Sequence, residues 1–204
     1  MNVAQRCLCT YRFGMSPDRT LHLRDPKAMR ALAHPLRLRL LGELRLAGPH
    51  TVGMLSEHFD DAPGNVSYHL AVLARHGFVV EVPELARDKR ERWWAAAHDV
   101  TSWEPADALA EPELRAASTE LRRAILVRYA EALTAYLDFE PQLDREWVRG
   151  TSSSDTVMHL TPVELQELRA ELEALSARWK GRSEPDRADA KPVALIYHAF
   201  RRPE

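Results

Sequence analysis

The chain of 204 residues predicts an α+β fold that is mainly helical: a compact N-terminal set of helices closed by one hairpin, then a helical C-terminal part with a small β-sheet. Three observations predict it. Apolar residues recur at helical spacing through most of the chain. Runs rich in β-branched and aromatic residues interrupt that pattern at a few places, first at residues 78–82 and 92–96. Charge divides unevenly as well. Residues 1–21 carry net +2, residues 22–98 net +2 and residues 99–204 net −6, which together give the −2 of the whole chain. The sequence thus reads as an N-terminal tail (1–21), a first domain (22–98) and a distinct second part (99–204).

Asp25 followed by Pro26 starts the first helix, with an N-cap oxygen and a proline in the first turn, and Met29 and Leu32 give its apolar face. His34-Pro35 breaks and restarts the pattern, because a residue before proline avoids the helical region. Leu36, Leu40, Leu41 and Leu44 then follow at helical spacing until Gly48-Pro49. Thr51 precedes a third helix with Met54, Leu55 and Phe59 on its apolar side, and residues 60–64 (DDAPG) turn the chain into a fourth. In that fourth helix Val66, Leu70 and Leu73 form the buried line, and Gly77 ends it. Two strands joined by the basic loop 83–91 (PELARDKRE) follow, which together with the preceding helix, turn and helix make a winged helix-turn-helix.

After a proline-flanked linker, residues 112–139 predict a helix of roughly seven turns. Residues 146–149 and 156–160 read as short strands. Thr161-Pro162-Val163-Glu164 is a capping box opening a helix whose Leu165, Leu168, Leu172, Leu175 and Trp179 keep spacings of 3, 4, 3 and 4. Residues 192–200 (PVALIYHAF) are apolar and β-branched enough for a final strand.

A helix that enters the DNA major groove needs small or hydrogen-bonding side chains near its N-terminus and an apolar back. Asn65, Ser67 and Tyr68 supply the first; Val66, Leu70 and Leu73 supply the second. An asparagine can meet an adenine edge with both its donor and its acceptor, and the two hydroxyls reach bases or phosphates. His69 shares the Val66 and Leu73 side, so it reads first as a packing or phosphate-contacting residue. Arg75, late on the helix, suits either a phosphate or the helix dipole. Arg87, Lys89, Arg90 and Arg92 stand within six positions and are expected to meet phosphates as a group, although a solvated hairpin loop has the same composition.

Residues 25–96 resemble the winged helix-turn-helix domain of ArsR-type bacterial transcriptional regulators, in the subgroup with a long C-terminal part. The resemblance rests on Ala33-His34-Pro35-Leu36-Arg37 with Leu40-Leu41, on Val66-Ser67-Tyr68-His69-Leu70 with Leu73 and His76-Gly77, and on Arg90-Glu91-Arg92-Trp93-Trp94. It implies a homodimer that binds a palindromic operator in double-stranded DNA, usually to repress. Ser67 and Tyr68 match the family's DNA-reading pair, and the wing is expected on the backbone or in the minor groove.

The departures from the family bear on its input. The cysteine motif that metal-sensing members carry before the recognition helix is missing from residues 52–59 (VGMLSEHF), and Cys7 and Cys9 form a lone pair where a zinc site usually wants about four ligands. No metal and no cofactor are expected. The 99–204 part is read as a dimerisation or effector part: the Leu165 to Trp179 stripe is first a core or dimer seam. A pocket between the long helix and the small sheet, lined by Tyr129, Tyr136, Trp147 or Trp179, is the candidate site for a small hydrophobic effector.

Other classes are disfavoured. No apolar run approaches the roughly 18 residues that span a bilayer, and the N-terminus lacks the order of a signal peptide, so a cytoplasmic protein is expected. Met15, followed by Ser-Pro-Asp, is a candidate start that would make the first fourteen residues dispensable. No hydrolase, zincin, phosphate-loop or dinucleotide signature occurs, which argues against an enzyme. A metal sensor, or a winged helix used for protein contacts, are the remaining alternatives.

Overall fold

The computed structural model describes residues 19–88 and 91–203. Cys7, Cys9 and Met15, and the wing residues Lys89 and Arg90, lie outside the described residues. The chain divides into two compact units, residues 1–136 and 137–204.

The first three helices begin where a side chain takes over unpaired NH groups, whereas the fourth starts on a proline without a side-chain cap. Asp25 caps α1 (Pro26–Leu32), its two carboxylate oxygens accepting from the Lys27 N–H at 2.9 Å and the Ala28 N–H at 3.3 Å. His34 caps α2 (Pro35–Leu46) through Nδ1, which accepts from the Leu36 N–H at 3.2 Å. The two-residue strand β2 (His50–Thr51) leads into α3 (Val52–Phe59), where the Thr51 hydroxyl accepts from the Met54 N–H at 3.2 Å. α3 stops at Asp60, whose φ of 50° is left-handed, and α4 (Pro63–Arg75) starts three residues later on a proline.

α4 ends in a Schellman motif: Gly77 sits at φ 73°, the Phe78 N–H reaches the Leu73 carbonyl at 3.0 Å, and the Gly77 N–H reaches that of Ala74 at 3.0 Å. Strands β3 (Val79–Glu81) and β4 (Trp93–Ala96) pair antiparallel, with Val80 opposite Ala95 and Glu81 opposite Trp94. β2 joins the other side of β4, His50 opposite Trp94, so the sheet order is β2-β4-β3. A second, two-stranded sheet pairs β1 (Thr20–His22) in parallel with β5 (Val100–Ser102). Sequence patterning does not reveal β1, β2 and β5, which are two or three residues long and too short for periodicity to register.

The core lies beneath α4. Leu40, Leu55, Val66, Leu70 and Leu73 are fully buried, and Phe78, Val79 and Trp94 close the sheet side. The long helix α5 (Pro112–Phe139) joins this core through Leu114, Ala117 and Leu121, with Ala108 ahead of it. Packing therefore carries the first unit beyond residue 98, where charge and proline content change. Two arginines fasten the edges. Arg45 donates from Nε to the His98 carbonyl at 3.0 Å and from Nη2 to the Thr101 hydroxyl at 2.8 Å. Arg19 Nη2 donates to the Ala96 and Ala97 carbonyls at 3.0 and 3.2 Å.

The fold is mainly helical, as expected, and among the described residues its strands all lie before residue 103, with none where the small C-terminal β-sheet was expected. Residues 146–149 belong to a helix, α6 (Arg145–Gly150), whose first turn closes when the Trp147 N–H bonds the Asp144 carbonyl at 2.9 Å. The Asp144 side chain makes no cap there, and the same carbonyl also accepts from the Val148 N–H at 3.3 Å. Residues 156–160 and 192–200 carry no strand pairing, and Val157, Met158, Val193, Leu195 and Phe200 are exposed. A strand needs a neighbour for its ladder, and none is offered among the described residues. α7 (Pro162–Gly181) forms with its capping box: the Thr161 N–H donates to Glu164 Oε2 at 2.7 Å, and the Glu164 N–H donates to the Thr161 hydroxyl at 3.3 Å. The expected effector pocket loses its β-sheet wall.

Candidate nucleic-acid interface

α4 separates its side chains by periodicity. Val66, Leu70 and Leu73 have no exposed surface, His69 is 6% exposed, and Val72 is buried beside them. On the other side Gly64, Tyr68, Ala71 and Arg75 are exposed, spaced by four, three and four residues along one row. Tyr68 is 59% exposed, although a phenol ring gains by burial, and this marks an apolar and hydrogen-bonding surface open to a partner. Ser67 is half-buried at one flank of that row and Asn65 is exposed at the other. The helix thus brings Asn65, Ser67, Tyr68 and Arg75 to one outward surface and withdraws His69 from it.

His69 belongs instead to a cluster beneath the helix. Its ring lies 4.4 Å from that of His34, centroid to centroid, and Tyr68 stands edge-on to it at 5.1 Å. Arg37 Nη1 sits 3.2 Å from His69 Nδ1, and Arg37 Nε donates to the Ala31 carbonyl at the end of α1. A guanidinium only donates, so His69 Nδ1 accepts and its proton is on Nε2; His34, accepting at Nδ1 from Leu36, has the same tautomer. Burial lowers both histidine pKa values from the ordinary range, and the Arg37 charge adds to this for both. His34 further lowers His69, whereas Asp61 pulls it back up. Both rings are neutral props at neutral pH, and they hold α2 against α4.

At the first turn of α4, Asn65 Nδ2 donates to both oxygens of Asp61, at 2.9 and 3.1 Å. Asp61 is itself placed by the interhelical turn, its N–H bonding the Ser56 carbonyl at 3.1 Å.

In the wing Arg87 and Arg92 are exposed, while Lys89 and Arg90 lie outside the described residues. The loop is braced from within: the Arg87 N–H donates to Glu91 Oε2 at 2.8 Å and the Glu91 N–H to Asp88 Oδ1 at 3.1 Å. Arg92 makes a close ion pair with Glu81 on the facing strand and lays its guanidinium 5.1 Å over the Trp94 ring. The pair lowers the Glu81 pKa and raises that of Arg92. Arg92 thus has partners within the hairpin itself, where its sequence context points to a phosphate contact or a solvated loop.

His34, Arg37, Asp61 and Glu81 are not among the DNA-contact candidates read from the sequence, where His34 and Arg37 count only toward the family resemblance. Asp61 and Asn65 stand four apart, a spacing that places side chains together on a helix, but a turn residue outside the helix conceals the pair. Glu81 and Arg92 meet only once the strand register is known. Among the described residues no three His, Cys, Asp or Glu side chains gather as a metal site, and no helix is long and apolar enough to cross a membrane.

Comparison with known proteins places one part of this chain. No curated protein gives a significant match. Among solved structures, one alignment is with transcriptional regulator Tm0710 from Thermotoga maritima, at 14% identity over 76% of this chain and 88% of that one, with a TM-score of 0.30. Another is with disulfide-formed AbfR, at 17% identity over 57% of this chain and 76% of that one, with a TM-score of 0.28. Residues 32–82 match the family model described as a helix-turn-helix domain. They run from the end of α1 through β3 and contain the left-handed turn at Asp60, so this segment is a helix-turn-helix domain.

Proposed function

We propose that this protein is a sequence-specific DNA-binding transcriptional regulator of the ArsR type, a repressor that acts as a homodimer on a palindromic operator. The reading rests on one observation above the others. Within the matched helix-turn-helix, α4 buries Val66, Leu70 and Leu73 completely and turns Tyr68, Ala71 and Arg75 outward, with Asn65 and Ser67 at the flanks of that face. A helix of this kind presents hydrogen-bonding side chains to base edges, and Arg75 and Arg87 add contacts to phosphate. Lys89 and Arg90 belong to the same wing.

A twofold dimer requires a palindrome, since each copy reads one half-site. The homodimer is supported by α5, where Leu126, Val127 and Leu133 are 50%, 55% and 56% exposed beyond Leu121 and Ile125, which still pack on the core. Release by a small hydrophobic ligand belongs to the same reading; the half-buried Tyr129 and Tyr136 on that helix support it.

The test is binding of fluorescent duplexes selected from a random pool, titrated by anisotropy across salt concentrations. A regulator enriches one palindromic sequence and loses affinity steeply as salt rises. Tyr68→Ala with Ser67→Ala lowers the preference for that sequence and leaves the melting temperature near wild type. Equal affinity for every duplex, or none, would make the domain a protein-interaction module, and unchanged preference in the double variant would move the reading face elsewhere.

A further inference from the structure

Arg37 ties three helices together behind the outward face of α4. From the first turn of α2, its Nε donates to the Ala31 carbonyl near the end of α1, and its Nη1 meets His69 Nδ1 on α4 at 3.2 Å. The His69 ring in turn stands behind Tyr68, whose own ring lies edge-on to it at 5.1 Å and is the large side chain that α4 leaves 59% exposed. Tyr68 also couples electrostatically to the Arg37 guanidinium, raising its pKa against the cost of burial.

This link works in one protonation state. A guanidinium only donates, so His69 Nδ1 must keep its lone pair. A proton there sets two donors and two positive charges face to face, and turning the ring over removes the facing donor but not the charge. Most of the surroundings oppose that proton. Burial lowers the His69 pKa most; His34, from the junction of α1 and α2 with its ring 4.4 Å away, and Arg37 from α2 lower it further, while Asp61 in the turn ahead of α4 works against them. Tyr68 is its titratable neighbour on α4 itself.

We propose that Arg37 is a positioning residue for the reading face of α4: through its bond to neutral His69 it holds Tyr68 in the orientation that recognises the operator, and protonation of His69 undoes that hold, so that mild acid removes the sequence preference before the protein unfolds. This rests on the DNA-reading role proposed above, and adds a proton as an input to it. The sign is opposite to that of bulk electrostatics. As pH falls the chain gains positive charge, which strengthens attraction to phosphate for every sequence alike. A preference for one sequence that falls under the same conditions therefore needs a specific cause.

The experiment uses the full chain and the operator selected from a random duplex pool at neutral pH. Anisotropy gives the ratio of affinity for that operator to affinity for a shuffled duplex of the same length, from about pH 7.5 to about pH 5.5 at constant ionic strength, with a melting curve at each pH. Wild type is expected to lose about tenfold in this ratio, because each pH unit over which the free protein holds a proton that the complex excludes is worth that factor. His69→Asn keeps an acceptor near the place of Nδ1 and cannot titrate, so its ratio should stay level with pH. Arg37→Ala should lower the ratio already at neutral pH and leave little further loss in acid. A measurement on the wild type depends on no variant: nitrogen NMR of the imidazole rings should show His69 taking up its proton at a lower pH in the operator complex than in the free protein, although DNA phosphates by themselves would favour the proton. An unchanged wild-type ratio, a fall that persists in His69→Asn, an Arg37→Ala ratio equal to that of wild type, or a His69 titration that the operator does not lower overturns the inference. A wild type that prefers no sequence at any pH removes the DNA-reading role itself, and this inference with it.

Discussion

Leu70 lies at the middle of α4 with no exposed surface, within the cluster that includes Leu40, Leu55 and Phe78. Leu70→Ala is expected to destabilise the first unit by about 2–5 kcal/mol, measured as a lowered denaturant midpoint with an unchanged slope. The His34 and His69 pair gives a pH dependence. Both pKa values are lower in the folded chain than in the unfolded one, so the unfolded state takes up protons first as acid is added. Their contribution is complete above the unfolded value of about 6.5 and is lost as pH falls through the lowered folded values. The melting temperature should therefore drop between pH 7 and pH 5. His34→Asn, which keeps a cap for α2, should flatten that slope; an equal slope in the variant would assign the loss to other groups. At this scale the outward place of Asn65 and Tyr68 and the burial of His69 were legible from spacing alone. The partners were not: Asp61 for Asn65, Glu81 for Arg92 and Arg37 for His69 meet across turns, strands or helices.

The wing hairpin brings Glu81 and Arg92 together across the β3 and β4 ladder. Both side chains are about half exposed, so the pair contributes at most about 1 kcal/mol to stability, and its larger effect is on charge. Glu81→Gln is predicted to leave the melting temperature nearly unchanged while strengthening DNA binding at low salt. It should steepen the plot of log affinity against log salt by about one unit if Arg92 then takes a phosphate. An unchanged salt slope would mean that Arg92 does not reach the backbone. The helices were legible in the sequence because their start signals are local: Asp25-Pro26, His34-Pro35, Thr51 and the Thr161 to Glu164 box each cap the helix they announce. Strands were legible only at β3 and β4, where a helix end and a basic loop frame them. Residues 156–160 and 192–200 have strand composition but no partner strand among the described residues, and 146–149 lie in a six-residue helix whose first turn closes on the Asp144 carbonyl.

Over the whole molecule, net charge is a poor guide to partners. The acidity lies after residue 98, and the segment that holds the helix-turn-helix is net +2. α5 exposes Leu126, Val127 and Leu133 in the first unit. Leu126→Glu with Leu133→Glu is predicted to give a monomer by sedimentation and to weaken binding to a full palindrome far more than to a half-site; a dimer that persists would place the interface elsewhere. By itself the sequence determined the succession of helices, the turn between α3 and α4 and the side of α4 that is buried, because caps, proline, glycine and apolar spacing act within a few residues of one another. Only the tertiary structure decided that the start of α5 completes the first core, that no strand lies after residue 103 among the described residues, and that Asn65 and Arg92 face carboxylates. Those outcomes depend on which surfaces and strand edges meet, and groups far apart in the chain leave no local pattern when they meet.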